Sequence, residues 1–445
     1  MRQLQGKYCQ DCKIFTDNVE EEAVRLVQSM LEQPAFADSH IRIMPDVHMG
    51  KGITIGFSAP LGKFVNPNHV GVDIGCTVST MELSTVIPTE RYAEFERMVG
   101  EAIPTGHRIN GSEVIDREEF YAFLNAEYQQ VVRDFPEMVL PVEEINAEYV
   151  SRFLVRIGMN AETFFRSLPS LGGGNHFLEY GVASTSSPTE EDGRGFFTAH
   201  CGSRHLGVRV CNYWARKCSE NSTEISEADM RRAVEEVKAS CADRTQWPRL
   251  INEAKLRLRE EEYMMDYLSG DFLKGYLSDM VITQAYARFN HIMIHRLVAN
   301  ILREIFNIEV VREIYTTHNY IDFKDHPMLR KGAIRAYADE LCIIPFNMRD
   351  GLAICRGKSN PDWNFTAPHG AGRILSRTAA KMQLKMEEFR KTMTNVYSTT
   401  VCEGTIDESP MAYKPMDEIV RLIEPTVEIL FFVRPKINIK ATDAE

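Results

Sequence analysis

The sequence predicts an α+β fold on three observations. Short apolar runs broken by glycine occur in both halves of the 445-residue chain, a charged and periodic block between about residues 208 and 307 reads as helix, and no internal repeat, low-complexity tract or flexible linker divides the chain. Together these describe one large domain, residues 1–445, in which helices decorate strand-rich segments.

In chain order, "EEEAVRLVQSMLEQPAF" has the periodicity of an amphipathic helix, and "IRIMPDV" and "GITIGFSAPL" are short apolar segments with glycine punctuation, as in strands and loops. "HVGVDIGCTVSTMEL" alternates apolar residues and ends in a β-rich run, which puts Asp73 and Cys76 at a strand or turn edge. Residues 88 to 168 are mainly helical. "LGGGNHFLEYGVAS" and "GFFTAHCGSRHLG" return to strand character, each with a histidine at a glycine break. "EADMRRAVEEVKASCADR" and "ITQAYARFNHIMIHRLVANILREIF" are amphipathic helices, and "IEVVREIYTTHNYIDF" is strand again.

A hydrophobic content of 44% gives this length a large core. The opening "MRQLQGKYCQDC" lacks the charged, apolar and small-residue sections of a secretion signal, and apolar stretches such as "VEILFFV" are too short to span a bilayer, so a cytoplasmic location without membrane contact is expected. Ten cysteines, scattered rather than framed, are expected as reduced thiols. Cys9 and Cys12 have CxxC spacing, but no second pair completes a zinc site and they read as ordinary thiols. A net charge of -12 argues against a protein that coats nucleic acid with its whole surface. It leaves room for a local basic groove, with Arg330, Lys331, Arg335, Arg356, Lys358, Arg434, Lys436 and Lys440 as contributors.

Five metal-capable residues recur in one kind of setting: Asp73 and Cys76 in "GVDIGC", His176 in "GGGNHF", His200 in "TAHCGS" and His318 in "TTHNY". Each lies at a glycine-rich or strand-end position, where a scaffold can aim side chains from several strands at one point. Carboxylate, thiolate and imidazoles together suit zinc, cobalt, iron or manganese, and residue types alone do not choose among them. Two ions sharing Cys76 make chemical sense, because a thiolate can bridge and two-metal clamps suit phosphoryl chemistry. Glycine runs such as "GGGN" and "HGAG" can turn successive N–H groups toward a phosphate.

His369 stands in "NFTAPHGAGR", between Pro368 and the small residues Gly370, Ala371 and Gly372, with Arg373 following and no carboxylate within the motif. The small neighbours leave room for a bulky group to approach. Three roles are open on residue type: a covalent nucleophile toward phosphorus, a further metal ligand, or a structural histidine. In the first, metal ions and Arg373 would neutralise charge on the transition state.

The motifs "MPDVHMGKG", "HVGVDIGC", "GGGNHFLE", "HCGSRHLG", "THN" and "PHGAGR", in that order across residues 44 to 373, closely resemble the RtcB-type RNA ligases, which join RNA 3'-phosphate or 2',3'-cyclic phosphate ends to 5'-hydroxyl ends. The resemblance implies two manganese ions, GTP as the activating cofactor and a histidine that carries GMP. On this sequence it implies one ion at Asp73, Cys76 and His176, a second at Cys76, His200 and His318, and guanylylation of His369. Asn175, Glu179, Asn319, the backbone of Gly370, Ala371 and Gly372, and Lys440 in "INIKA" would line the guanosine and phosphate pocket, with Asn347 and His318 beside them. RNA repair or tRNA splicing is the expected setting, with an archease-type activator as an expected partner.

Three departures qualify the carry-over, one of them the loss of a serine that would contact guanine further along the altered loop, which bears on nucleotide preference. Where the family shows a glycine-serine-rich "PGSMG" segment, this chain has "PFNMRDGLAICRG", with Phe346, Asn347 and Arg349 replacing small residues. Arg349 suits a phosphate contact or a salt bridge to Asp350. The chain also runs five residues past Lys440, where the family commonly stops at Lys-Gly, so Lys436 competes with Lys440 for the pocket. A divergent repair branch fits these differences. The competing functions are a two-metal cyclic phosphodiesterase, an enzyme that caps 3'-phosphate ends with GMP, and a non-catalytic RNA-binding subunit.

Overall fold

The computed structural model describes residues 1–184, 191–220, 227–265 and 267–442. Strands β1 (Arg2–Leu4), β2 (Asp11–Ile14), β3 (His40–His48), β4 (Ile55–Pro60), β5 (Thr77–Leu83), β6 (Phe177–Ser184), β7 (Glu191–Cys201) and β8 (Val310–Thr317) come first. β9 (Asn319–Asp322), β10 (Met328–Lys331), β11 (Ala333–Arg335), β12 (Leu341–Asn347), β13 (Gly351–Gly357), β14 (Thr366–Pro368) and β15 (Val427–Ile439) follow. Helices α1 (Glu21–Leu31), α2 (Tyr92–Ala102), α3 (Arg117–Asp134), α4 (Ala147–Ile157) and α5 (Ala161–Arg166) lie before β6. α6 (His205–Glu220), α7 (Glu227–Ser240), α8 (Trp247–Met265) and α9 (Gly270–Phe306) fill the block that the sequence marks as helical, of which residues 221–226 and 266 lie outside the described ones. The mixed α+β architecture is the one expected.

The larger sheet runs β12-β13-β15-β6-β7-β5-β8, with every neighbouring pair antiparallel. Antiparallel alternation brings the start of one strand beside the end of the next. Thr77 at the start of β5 therefore faces both Cys201 at the end of β7 and Thr317 at the end of β8, and Phe177 at the start of β6 faces His200. The residues just outside these ends, Cys76, His176 and His318, are thereby gathered at one end of the sheet.

The second sheet runs β1-β2-β3-β4-β10-β9. Its β3–β4 register jumps between Ile43 and His48, so the Met44–Val47 segment leaves the ladder as an irregularity packed against Gly56 of β4. A short pair, β11 with β14, sets Ala333 opposite Pro368 and so places His369 immediately beyond a strand end.

Helix α9 backs the larger sheet. At 37 residues it is about 55 Å long, and it buries side chains on several faces, as a helix enclosed by packing must. His291 and His295 of this helix meet the Ser79 hydroxyl of β5 at 2.6 and 2.8 Å, and His291 Nε2 donates to the Cys201 carbonyl at 2.9 Å. Burial pushes His291 down to about 3, so the ring is neutral and ties β5 and β7 together from behind. The helix stops at Asn307, whose left-handed φ of 56° closes its C-terminus.

The candidate contributors to a local basic groove each have a partner within the chain. Arg330 and Lys331 are buried, the first against Asp322 and the second donating to the Lys51 and Asn68 carbonyls at 2.7 Å. Arg335 pairs with Asp322 and Glu340, Arg356 with Glu428, Lys436 with Glu191, and Lys358 and Arg434 donate to backbone carbonyls. Buried charges need partners, and β10 lies inside a sheet rather than at its surface. Cys9 and Cys12 are buried free thiols, with burial pushing Cys12 up to about 12. Among the described residues no helix is long and apolar enough to cross a membrane.

Candidate active site

Cys76 is the meeting point of the strand-end residues. Its Sγ lies 3.3 Å from His176 Nε2 and 3.2 Å from His200 Nε2. His176 Nε2 reaches Asp73 Oδ2 at 3.1 Å, and His200 Nε2 reaches His318 Nε2 at 3.3 Å. These contacts run as one chain, Asp73–His176–Cys76–His200–His318. Within it the ligand atoms of Cys76, His176 and His200 all lie within 4.8 Å of one another.

The electrostatics suit a cation. Burial opposes ionisation of Asp73, yet His176 overcomes it and holds the carboxyl at about 2. Burial pushes the His200 and His318 rings far down, so both are neutral donors. Cys76 is driven well up by burial and by Asp73, so without a cation it keeps its proton. The second nitrogens of His176 and His318, both Nδ1, are buried without a partner. Converging lone pairs with few protons to share fit a thiolate–imidazole–carboxylate metal site.

His369 faces this cluster, its ring centre 4.9 Å from that of His318. Its Nδ1 contacts Asp46 Oδ2 at 2.6 Å, and its backbone N–H donates to the same oxygen at 3.1 Å. Asp46 is fully buried, whereas His369 keeps 17% of its side chain exposed. A carboxylate on Nδ1 fixes the proton there and leaves Nε2 with its lone pair. Asp46 escaped the sequence reading because it lies more than three hundred positions upstream of His369, although "MPDVHMGKG" was among the motifs noted.

Gly372 is small for a different reason than the one expected. Its φ is +77°, and a Cβ there would lie 2.3 Å from the Asp46 carbonyl. The glycine lets the turn after His369 pack on the strand that carries Asp46.

A cleft of about 500 Å³ opens over these groups, lined by Asp73, Asn175, Phe177, His200, His318, Asn319, His369, Gly370, Ala371, Gly372, Arg373, Arg377 and Tyr413. It continues inward to a recess lined by Glu179, Asn347, Met348, Asn438, Lys440 and Glu408. Every site residue predicted from sequence therefore lies in the metal cluster, the cleft or the recess. Lys440, not Lys436, occupies the recess: its Nζ donates to the Gly174 and His176 carbonyls and pairs with Glu408 at 3.1 Å.

Arg373 lines the cleft, but its guanidinium is committed to Glu408 at 3.0 Å, the Asp407 and Leu375 carbonyls and the Tyr413 hydroxyl. The charge that it offers a phosphate is shared with Glu408. Burial works against ionisation of Glu408, yet Lys440, Arg377 and Arg373 hold it at about 2. Arg377, which sequence reasoning missed, pairs with Asp407 and Glu408. It packs so closely over Gly174 that a Cβ there would lie 2.5 Å from its Nη2.

The altered loop sorts by direction. Phe346 is buried in the core with Phe432, on the side away from the recess. Asn347 lines the recess and caps its own loop, accepting from the Arg349 and Asp350 N–H groups at 3.0 Å. Arg349 is half-exposed and grips Asp350 with two hydrogen bonds of 2.8 Å, the salt-bridge alternative.

Asn438 is a third residue that the sequence did not single out. Its Nδ2 donates to Glu179 Oε2 at 2.8 Å, and both Asn438 Oδ1 and Glu179 Oε1 are buried without a partner. Burial pushes Glu179 up to about 8, with Asn438 and Lys440 opposing.

Fold and site thus define an α+β protein in which a metal-competent Cys/His/Asp cluster shares a cleft with a carboxylate-oriented histidine. The sequence model of a family described as "tRNA-splicing ligase RtcB" matches residues 28–441, and the chain belongs to that family. It is 27% identical to the RNA-splicing ligase RtcB of Escherichia coli (strain K12), with 95% of each chain covered. The tRNA-splicing ligase RtcB of Archaeoglobus fulgidus is 26% identical, over 91% of this chain and 88% of its own. The RNA-splicing ligase RtcB of Mycobacterium tuberculosis is 24% identical, over 85% and 90%. The resemblance carried by the six motifs is borne out.

Proposed function

We propose that this protein is a GTP- and manganese-dependent RNA ligase that joins 3'-phosphate or 2',3'-cyclic phosphate ends to 5'-hydroxyl ends. The carrying observation is the 2.6 Å contact between Asp46 and His369 Nδ1, which leaves Nε2 as a nucleophile facing a cleft beside a metal-competent cluster. In the first step Nε2 attacks the α-phosphorus of GTP, the P–N bond forms and pyrophosphate leaves. Asp46 stabilises the imidazolium that develops. A cyclic RNA end is opened by water to a 3'-phosphate, whose oxygen then takes GMP as the P–N bond breaks. The 5'-hydroxyl attacks the activated 3'-phosphorus, its proton passes to solvent and GMP leaves.

Asp73, Cys76, His176, His200 and His318 are the residues that would hold manganese, which when bound supplies Lewis-acid neutralisation of phosphate charge. Guanine is supported by the unpartnered Asn438 Oδ1 and by Glu179 Oε1, which becomes an acceptor when the carboxyl ionises against guanine, because guanine's N1–H and N2–H groups form an edge of donors. Lys440, Asn175 and the N–H groups of Gly370 to Gly372 complete the pocket for ribose and phosphate.

The test is incubation with α-labelled GTP, manganese and RNA fragments carrying paired end chemistries. Label on the His369 peptide and a joined product support the reading. Hydrolysis of the cyclic end without label or joining would replace it with the phosphodiesterase.

A further inference from the structure

Lys414 is a buried cation, only 3% exposed, that takes no part in the chemistry above. Its Nζ donates to the carbonyls of Asn18, Pro45 and Val47 at 2.9, 2.9 and 3.2 Å. Its backbone N–H donates to the Gly372 carbonyl at 2.9 Å. Among the described residues no carboxylate stands within ion-pair distance of it.

The positions of these four acceptors matter. Pro45 and Val47 flank Asp46 in the segment that leaves the β3–β4 ladder, so their carbonyls take the ammonium in place of a strand partner. Gly372 closes the turn after His369 and packs directly on the Asp46 backbone. One residue therefore joins the segment that carries the carboxylate to the turn that carries the imidazole. Burying an ammonium is costly, and burial lowers the Lys414 pKa while the nearby Asp46 charge opposes the shift. That cost is spent where a small displacement would separate Asp46 Oδ2 from His369 Nδ1.

We propose that Lys414 is a positioning residue for the His369 nucleophile: it locks the Met44–Val47 segment to the Gly370–Gly372 turn, which keeps Asp46 on Nδ1 and presents Nε2 to the cleft. The claim rests on the reading of His369 as the nucleophile, and two readouts keep the claims separate. The first is the rate of GMP transfer to His369 and the GTP concentration that half-saturates it. The second is carbethoxylation of His369 by diethyl pyrocarbonate, followed on its peptide by mass, which needs no GTP.

Lys414→Met should slow GMP transfer about tenfold or more while half-saturation moves by less than about twofold, and should slow carbethoxylation in parallel. Lys414→Arg, which keeps the charge and donors, should recover most of both. Because Lys414 acts through Asp46, Lys414→Met should cost less than about twofold further in an Asp46→Asn background. Full additivity in the double variant would overturn the proposal. So would an effect on half-saturation alone, or unchanged carbethoxylation in a folded Lys414→Met protein. If Lys414→Met melts below the assay temperature, Lys414→Arg decides: near-parent rates support the proposal, and loss through half-saturation alone overturns it. A parent chain that accepts no GMP removes the ligase reading, and the carbethoxylation comparison still decides whether Lys414 controls the ring.

Discussion

Asp46→Asn is the substitution whose consequence the geometry constrains most tightly. Asp46 Oδ2 accepts from both His369 Nδ1 and His369 N, whereas Oδ1 is buried without a partner. An asparagine has two ways to sit there. With its amide nitrogen in the Oδ2 place, an N–H faces Nδ1, the ring proton moves to Nε2 and the nucleophilic lone pair is gone. With its oxygen there, both contacts survive, but the carboxylate charge is lost and the NH2 group is buried without an acceptor. A hydrogen bond to a charged group contributes about 1.5–3 kcal/mol, so the second arrangement costs roughly ten- to hundred-fold in rate. The first approaches the ~10⁴-fold loss seen when an aspartate that orients a catalytic histidine becomes asparagine. The assay is a single-turnover measurement of labelled GMP on the His369 peptide, with metal content checked in parallel. An Asp46→Asn protein that takes GMP within about threefold of the parent rate would refute the claim that this carboxylate sets the tautomer.

Three further outcomes follow from the site. His369→Ala should abolish covalent GMP while leaving bound metal and the melting temperature nearly unchanged, since the ring bonds to Asp46 and not to the Cys76 cluster; undiminished label in the variant would contradict it. Cys76→Ala should lose more metal than any single histidine substitution, because its sulfur contacts both His176 and His200 at the centre of the cluster, and elemental analysis of purified variants decides this. Glu179→Gln should stabilise the nucleotide-free protein in a pH-dependent way. The folded-state value is raised from the ordinary 4.5 to about 8, so the folded state binds the proton more tightly and the penalty for ionising the buried group grows as pH rises between those values. The gain in melting temperature over the parent should therefore be small near pH 4 and largest above pH 8; a gain that is flat with pH would show that Glu179 is not held neutral.

What the sequence disclosed was the set of residues that converge around Cys76 and the cleft, and the reason is local. Asp73, Cys76, His176, His200 and His369 each sit where an apolar run meets glycine or proline, and His318 sits at the end of a strand-like run, boundaries that propensity marks without knowledge of pairing. The partners of those residues were less legible. Asp46 serves His369 only because β3 departs from its ladder with β4, and Asn438 serves Glu179 only because β15 inserts beside β6. Both depend on strand order, which periodicity does not encode. The burial of two candidate groove residues was hidden for a related reason: the charge of Arg330 and Lys331 was visible, but the enclosure of β10 between β4 and β9 was not. Arg349 had two readings of equal standing, and the adjacent Asp350 settles its side chain into a surface pair.

The placement of β15 has a consequence for how the protein is made. This strand begins at Val427, yet it lies in the middle of the larger sheet, between β13 and β6, and its end delivers Asn438 and Lys440 to the recess. While the ribosome is still extending the chain, β6 and β13 each present an open edge of unpaired N–H and C=O groups where β15 will later insert. The nascent protein thus passes through a stage in which the Cys76 cluster residues and His369 have been synthesised but the sheet is split and the inner recess has no floor. Final insertion of a late, central strand is a non-local step, slow by its topology, and it makes completion of the inner recess one of the last events of folding.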